Sequence, residues 1–231
     1  MLMNTHEARL DALRKELKSR ELDGFVIPIS DEHMSEYVGA YAQRLGWLTG
    51  FGGSAGTAAV LADKAAIFVD GRYTLQVREQ VDGRLFEYQS VPATSVSDWL
   101  AANAPKGGRI GFDPWLHGKP WVDSVNKALR EKGAALEPVE GNPIDAIWAD
   151  QPVRSLAPAL VHGNEFTGKP SEAKRSEVAE WLAARGLDAA VVSALDGVAW
   201  LLNLRGTDVS CTPVALSFVL AHADGTAELF I

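Results

Sequence analysis

Cysteine is nearly absent from this 231-residue chain: Cys211 stands alone, so no intramolecular disulfide can form. The start of the chain reaches His6 and Glu7 before any apolar region of leader length appears. Together these predict a reducing, cytoplasmic setting. No apolar run approaches the roughly 20 residues that a membrane helix needs, so no membrane partner is expected. Basic residues are the minority, 22 against 30 acidic ones, for a formal net charge of -8. Nucleic acid and anionic lipid both require clustered Lys and Arg, so neither is an expected partner. The five histidines (His6, His33, His117, His162 and His222) are scattered and form no H-x-x-x-H or H-E-x-x-H pair, so their spacing yields no metal site. What the chain does have is 47% apolar residues, ample for a core within one or two domains.

The order of elements is legible from periodicity. Ala8, Leu10, Leu13 and Leu17 recur at helical spacing between Thr5 and Arg20, which predicts an amphipathic helix with a solvated basic face. Phe25 to Ile29 is a short buried strand. The polar stretch from Ser30 to Arg44 reads as a surface loop with room for one helical turn. Two apolar runs, Ala58–Leu61 and Ala65–Val69, flank the turn pair Asp63-Lys64 and predict a hairpin. Helices are expected at Leu75–Val81, Ser95–Ala104 and Pro120–Lys132, with strands at Phe86–Val91 and Arg109–Pro114 between them. That alternation is the pattern of a layered α/β domain over residues 1–150. Pro143, Pro152, Pro158 and Pro170 mark a loop-rich connector, taken as 151–170, with one helical turn near Ile144 to Trp148. A second unit opens at Ser171 with a helix to Arg185.

That second unit echoes the first. Arg20–Val26 matches Arg185–Val191 with Leu22 on Leu187, an offset of 165, and Trp47–Gly53 matches Trp200–Gly206 at an offset of 153. Between these two matched segments the first copy therefore carries 12 more residues than the second, and the polar loop around His33 is where they fit. A period this long implies duplication of a whole domain rather than a solenoid. The second copy reaches Ile231 after a run, Ala227–Ile231, with the composition of a buried strand. This predicts a fragment of a longer protein, since an unfinished sheet exposes an apolar edge.

Several motifs need weighing. Gly50, Gly52 and Gly56 with Asp70 approximate a dinucleotide fingerprint, but that fold needs a strand before the glycines and a helix after them. A tight turn feeding a hairpin fits better. Ser54 in G-G-S-A-G lacks the strand-to-helix context of a nucleophile elbow. His33 and Glu36 are three apart and could share a helix face, yet one histidine and one carboxylate are too few ligands, and an exposed loop is expected there. Arg72 follows Asp70-Gly71 at a strand end, where side chains of an α/β sheet emerge toward a ligand or a neighbouring domain. The same position also suits a structural ion pair with a local acid. Arg205 falls in the corresponding turn of the second unit, where Asp208 is available to it.

These pieces together resemble the N-terminal half of an Xaa-Pro aminopeptidase of the three-domain, creatinase and prolidase type. The resemblance rests on Ile27-Pro28 with Asp31–Tyr37, on Leu48–Thr57, on Asp70–Tyr73, on Gly111–Pro114 and on Ala199–Asp208. It implies an α/β fold of two tandem creatinase/prolidase N-terminal domains, each a mixed sheet covered by helices, with the second truncated at 171–231. It implies a parent enzyme that removes an N-terminal residue preceding proline from short peptides, assisted by two divalent cations, usually manganese, in a C-terminal domain this chain lacks. The first domain would help to limit access to the catalytic cleft, and the parent would be a homodimer. No catalytic residue, metal ligand or cofactor is expected within residues 1–231. Arg72 is the residue expected to reach toward the substrate end of the cleft, with His33 and Arg205 as further substrate-binding candidates. The alternative is a free-standing binding module that shares the scaffold without the activity.

Overall fold

A computed structural model describes residues 5–231; Met1 to Asn4, which enter the leader argument above, lie outside the described residues. The chain falls into two units, one of residues 1–32 and 41–152 and the other of residues 33–40 and 153–231.

The first unit opens with α1 (His6–Ser19), whose N-cap Thr5 accepts from the Ala8 N–H. Capping of this kind satisfies an otherwise orphaned donor. Leu10, Leu13 and Leu17 form its buried stripe. Then come β1 (Gly24–Pro28), α2 (Arg44–Thr49), β2 (Gly56–Leu61), β3 (Ala65–Val69), α3 (Gln76–Gln80), β4 (Glu87–Ser90), α4 (Val96–Asn103), β5 (Arg109–Phe112), α5 (Lys119–Leu129), β6 (Ala135–Pro138) and α6 (Pro143–Ile147). The sheet order is β4-β3-β2-β1-β5-β6. Only β2 runs antiparallel to its neighbours, so β1, β3, β4, β5 and β6 all point the same way.

Side chains alternate across each strand, which gives this sheet two cores. Phe25, Ile27, Ala58, Val60, Ile67 and Val69 meet α1, α2 and α6 on one face; Val26, Ala59, Phe68 and Ile110 meet α4 and α5 on the other. Each fully buried Leu or Phe contributes about 1.5–3 kcal/mol, so both faces are needed to hold the middle strands.

The hairpin reading of the glycine stretch holds: Gly56 pairs with Val69 and Val60 with Ala65. The glycines serve packing. Gly50 takes a left-handed φ of 85° as the C-cap of α2, a position that favours glycine. A Cβ on Gly53 would lie 2.4 Å from Phe51 Cζ and 2.7 Å from Tyr73 Cδ1. The short helix α2 is absent from the sequence reading, because its Arg44-Leu45-Gly46-Trp47 run carries a central glycine and too few turns to show a period.

The second unit contains β7 (Leu160–Val161), α7 (Asn164–Thr167), α8 (Ser171–Ala183), β8 (Ala189–Val192), α9 (Leu195–Leu202), β9 (Leu204–Arg205), β10 (Phe218–His222) and β11 (Ala227–Phe230). Its sheet order is β11-β10-β8, antiparallel throughout, with Val198 and Leu201 of α9 and Val178 of α8 packed on Val219 and Ala221. This sheet repeats β3-β2-β1 of the first unit. β11 is a strand as expected but not a buried one: it pairs only with β10, and Phe230 is 54% exposed. Part of the stretch expected to be a connector is also structured, since β7 pairs with β9 and places Arg205 in a strand rather than a turn.

The duplication extends to side-chain caps. Arg9 of α1 donates to the Trp47 carbonyl at 2.5 Å and lies over the Trp47 ring at 4.8 Å, while His6 Nδ1 stands 3.2 Å from the Leu48 carbonyl. In the second unit Lys174 of α8 donates to the Trp200 carbonyl at 2.8 Å and lies over the Trp200 ring at 4.6 Å, and Ser171 donates to the Leu201 carbonyl at 2.9 Å. Cations at helix C-termini satisfy orphan carbonyls and the dipole together.

Two outcomes are expected. Lys174→Met keeps the buried stem but leaves the Trp200 carbonyl and Asn203 Oδ1, its 2.6 Å partner, without their donor; urea unfolding should show a loss of about 1–3 kcal/mol. Gly53→Ala should cost a similar amount, about 1–3 kcal/mol, and displace the Tyr73 ring, read from its proton chemical shifts.

Candidate functional site

β3 is buried along its whole length and ends at Val69, so the chain leaves the sheet at its carboxyl edge, the side on which open α/β sheets place ligands. Asp70 caps the short turn Gly71–Tyr73 there, its side chain accepting from the Arg72 N–H. The Arg72 guanidinium donates to Asp70 through Nε at 3.1 Å and Nη2 at 2.8 Å, a forked pair, and it lies 5.1 Å from the centre of the Tyr73 ring. Tyr73 meets Ser54 Oγ at 2.9 Å and packs edge-on against Phe51. The side chain of Arg72 remains 61% exposed. The hydrogen bonds from Arg72 hold the Asp70 carboxyl below its ordinary pKa, and the hydrogen bond with Ser54 lowers that of Tyr73. Beside this turn runs a groove of about 480 Å³ lined by Asp70, Thr57, Phe68, Val96, Trp121 and Ser124.

The fork is partly intrinsic to the sequence. Asp82-Gly83-Arg84 repeats the pattern, with Arg84 Nη2 at 2.5 Å from Asp82 and the Asp82 pKa lowered to about 2. The ion pair expected for Arg72 is therefore present. What sets the first Asp-Gly-Arg apart is its place at a buried strand's end, against Tyr73 and Ser54. The Ser54–Tyr73 bond joins two motifs 19 positions apart, a pairing that local spacing does not reveal.

His33 departs from the surface-loop expectation. It is 4% exposed and Asp31 is fully buried. The His33 ring stacks on Phe218 at 4.3 Å, and its Nδ1 lies 3.1 Å from the Ser193 carbonyl, so Nδ1 carries the donated proton. Polar composition suggested exposure; a buried polar group is stable when it is hydrogen-bonded, and the partners of His33 lie 160 or more positions away in sequence. Residues 33–37 are not helical, so His33 and Glu36 do not form the helix-face pair considered above, although both line a cavity of about 280 Å³ with Tyr37, Asp196 and Thr212.

Arg205 caps a helix end. Its Nη1 donates to the Ala199 carbonyl at 3.2 Å and the Leu204 carbonyl at 2.7 Å, while Asp208 accepts from the Leu216 N–H instead of pairing with Arg205. Among the described residues, no three or more His, Cys, Asp or Glu side chains stand together as metal ligands, so the described residues do not fit a two-cation centre. No helix among them is long and apolar enough to cross a membrane.

Comparison with known proteins places this geometry. Two family models, both described as the creatinase/prolidase N-terminal domain, match residues 9–147 and 150–231. A probable Xaa-Pro aminopeptidase P of Chaetomium globosum is 37% identical over 97% of this chain, which covers 37% of that protein. Human Xaa-Pro aminopeptidase 2 is 35% identical over 96% of this chain, which covers 33% of it. The chain thus spans about a third of the length of the curated relatives it matches. The solved X-prolyl aminopeptidase of Caenorhabditis elegans, described as a cytosolic enzyme with a di-nuclear active site, superposes with a TM-score of 0.92 at 32% identity, over 99% of this chain and 39% of that one. The chain belongs to the creatinase/prolidase N-terminal domain family, in two tandem copies.

Proposed function

We propose that this chain is the N-terminal, substrate-gating part of a cytoplasmic, homodimeric Xaa-Pro aminopeptidase. The parent removes the N-terminal residue that precedes proline from short peptides. The observation that carries this reading is similarity to such enzymes along the whole chain, at one third or more identity to the curated relatives compared. Chemistry of this kind uses divalent cations, manganese in our reading, to polarise a peptide carbonyl and supply a nucleophile. Those ions would be held by residues other than the ones described here, and the role of this chain is to limit access to the reaction.

Arg72 is the residue we assign to the substrate side. Its guanidinium is exposed but oriented by Asp70 and the Tyr73 ring, and such preorganisation reduces what binding must spend on ordering. His33 and Arg205 are used within their own unit, at the start and the end of α9, and neither is assigned a substrate contact.

Residues 1–231 alone should show neither cleavage of Xaa-Pro peptides nor tight manganese binding by calorimetry; robust manganese-dependent cleavage would overturn the division of labour. In the full-length parent, Arg72→Ala should lower kcat/KM for Xaa-Pro peptides by about tenfold or more with a smaller effect on thermal stability. Unchanged kinetics would reduce Arg72 to its structural fork. A parent gene that stops at Ile231 would favour the free-standing module.

A further inference from the structure

His117 sits at the carboxyl edge of the first unit's sheet, between the end of β5 and the start of α5. Its Nδ1 lies 3.1 Å from the Asp113 carbonyl, so Nδ1 carries the donated proton. Its ring stacks on Trp121 of α5 at 4.2 Å and meets Phe112 of β5 edge-on at 5.8 Å. The other ring nitrogen, Nε2, is buried and has no hydrogen-bond partner among the described residues. With Nδ1 already a donor, Nε2 is a bare lone pair, which is tolerable in an aromatic pocket only while the ring is neutral. A proton there would bring both a charge and an unsatisfied donor into the pocket. It would also stand just before the first turn of α5, whose N-terminal dipole disfavours a cation.

The charges around the ring do not reverse this. Burial is the largest effect and pushes the His117 pKa below its ordinary 6.5; from the β5 side, the hydrogen bond to the Asp113 carbonyl and then the Asp113 carboxylate favour the protonated form without overcoming it. That carboxylate is itself engaged, by the Trp115 N–H at 3.0 Å and by Asn142 Nδ2 at 2.9 Å. From α5, Lys119 and Asp123 pair with each other at 2.6 Å on the exposed side.

Trp121 joins this turn to the groove described above. One face of the indole carries His117, and the residue also lines the groove shared with Asp70, the carboxylate that orients Arg72. We propose that His117 is an acid-operated latch on Trp121: the neutral ring holds the first turn of α5 and one wall of the groove in place, and protonation at Nε2 releases both. Nothing in this proposal depends on the parent's activity, because the ring, the turn and the groove all lie within the first unit.

The sign follows from linkage. A histidine whose folded-state pKa is depressed leaves the closed state unaffected above the free-imidazole pKa of about 6.5, and favours opening progressively as pH falls from there to the folded value. Each unit of separation is about tenfold in the opening constant.

Hydrogen exchange on the 231-residue chain tests this. Between about pH 7.5 and about pH 5.5, after correction for intrinsic rates, the hydrogen-bonded amides of Trp115, Leu116, Trp121 and Val122 should lose protection several-fold while those of β1 do not. His117→Phe keeps the ring stack and His117→Asn keeps a side-chain donor; each, compared with itself at neutral pH, should lack the acid response. A carbon-13 titration of the His117 ring in the unsubstituted 231-residue chain should show a midpoint below that of free imidazole. Protection that stays flat with pH, an acid response that survives in both variants, or a ring midpoint at or above the free value would each overturn the latch.

Discussion

The cap on a short helix's C-terminal end, made by a cation from the preceding helix, is the contact on which the rest of each unit depends. α2 has six residues, too few to be stable by its own hydrogen bonds. It exists because Leu45 and Leu48 are buried and because Arg9 and His6 engage the carbonyls of Trp47 and Leu48. Lys174 and Ser171 do the same for α9. In both units the next residue is left-handed, Gly50 at φ 85° and Asn203 at φ 53°. Asn is the residue other than Gly that adopts this conformation most readily. Here its side chain is further fixed, accepting from Lys174 and donating to Thr167 and the Lys169 carbonyl.

From that cap the path to the candidate site is short. Gly50 turns the chain, Phe51 enters the core, and Gly53 and Gly56 bring the backbone against the rings of Phe51 and Tyr73. The hairpin β2–β3 then carries the chain across the sheet to Asp70. The position of the Arg72 fork is thus inherited from the end of α2, through a turn in which glycine is required for closeness more than for flexibility. The aromatic pair Phe51–Tyr73 transmits it, because Tyr73 is the ring over which Arg72 lies.

Much of this was legible in the sequence, for a physical reason: periodicity and turn chemistry are local. The hairpin, α1, α4, α5 and α8 all follow from spacings within about a dozen residues. The repeat was legible too, and its extra residues fall where they were expected: residues 29–43 separate β1 from α2, while only 193–194 separate β8 from α9. What could not be read locally was burial of polar side chains. His33 and Asp31 are buried in a stretch whose composition suggests solvent, and Ser193 and Phe218 become the neighbours of His33 only when the chain has folded back across 160 or more positions. The pairing of Arg205 with Asp208 failed for a related reason, since a nearby acid in sequence is a weaker guide than a helix end with an unsatisfied carbonyl. β7 and β9, at two residues each, carry no period at all.

The two Asp-Gly-Arg turns show how far a motif alone can carry an argument about function. Both close the same fork, and both aspartates have lowered pKa values, so the fork is a property of the tripeptide and carries no information about a ligand. Arg84 is 88% exposed and its turn merely connects α3 to β4. Arg72 is held by the same local chemistry, but its turn ends a fully buried strand, its ring partner is fixed by Ser54, and its aspartate lines a groove at the carboxyl edge of the sheet. A side chain becomes a candidate for recognition through what immobilises its surroundings. By that criterion the informative residues of this chain are Asp70, Tyr73 and Trp121, with Arg72 the group they present.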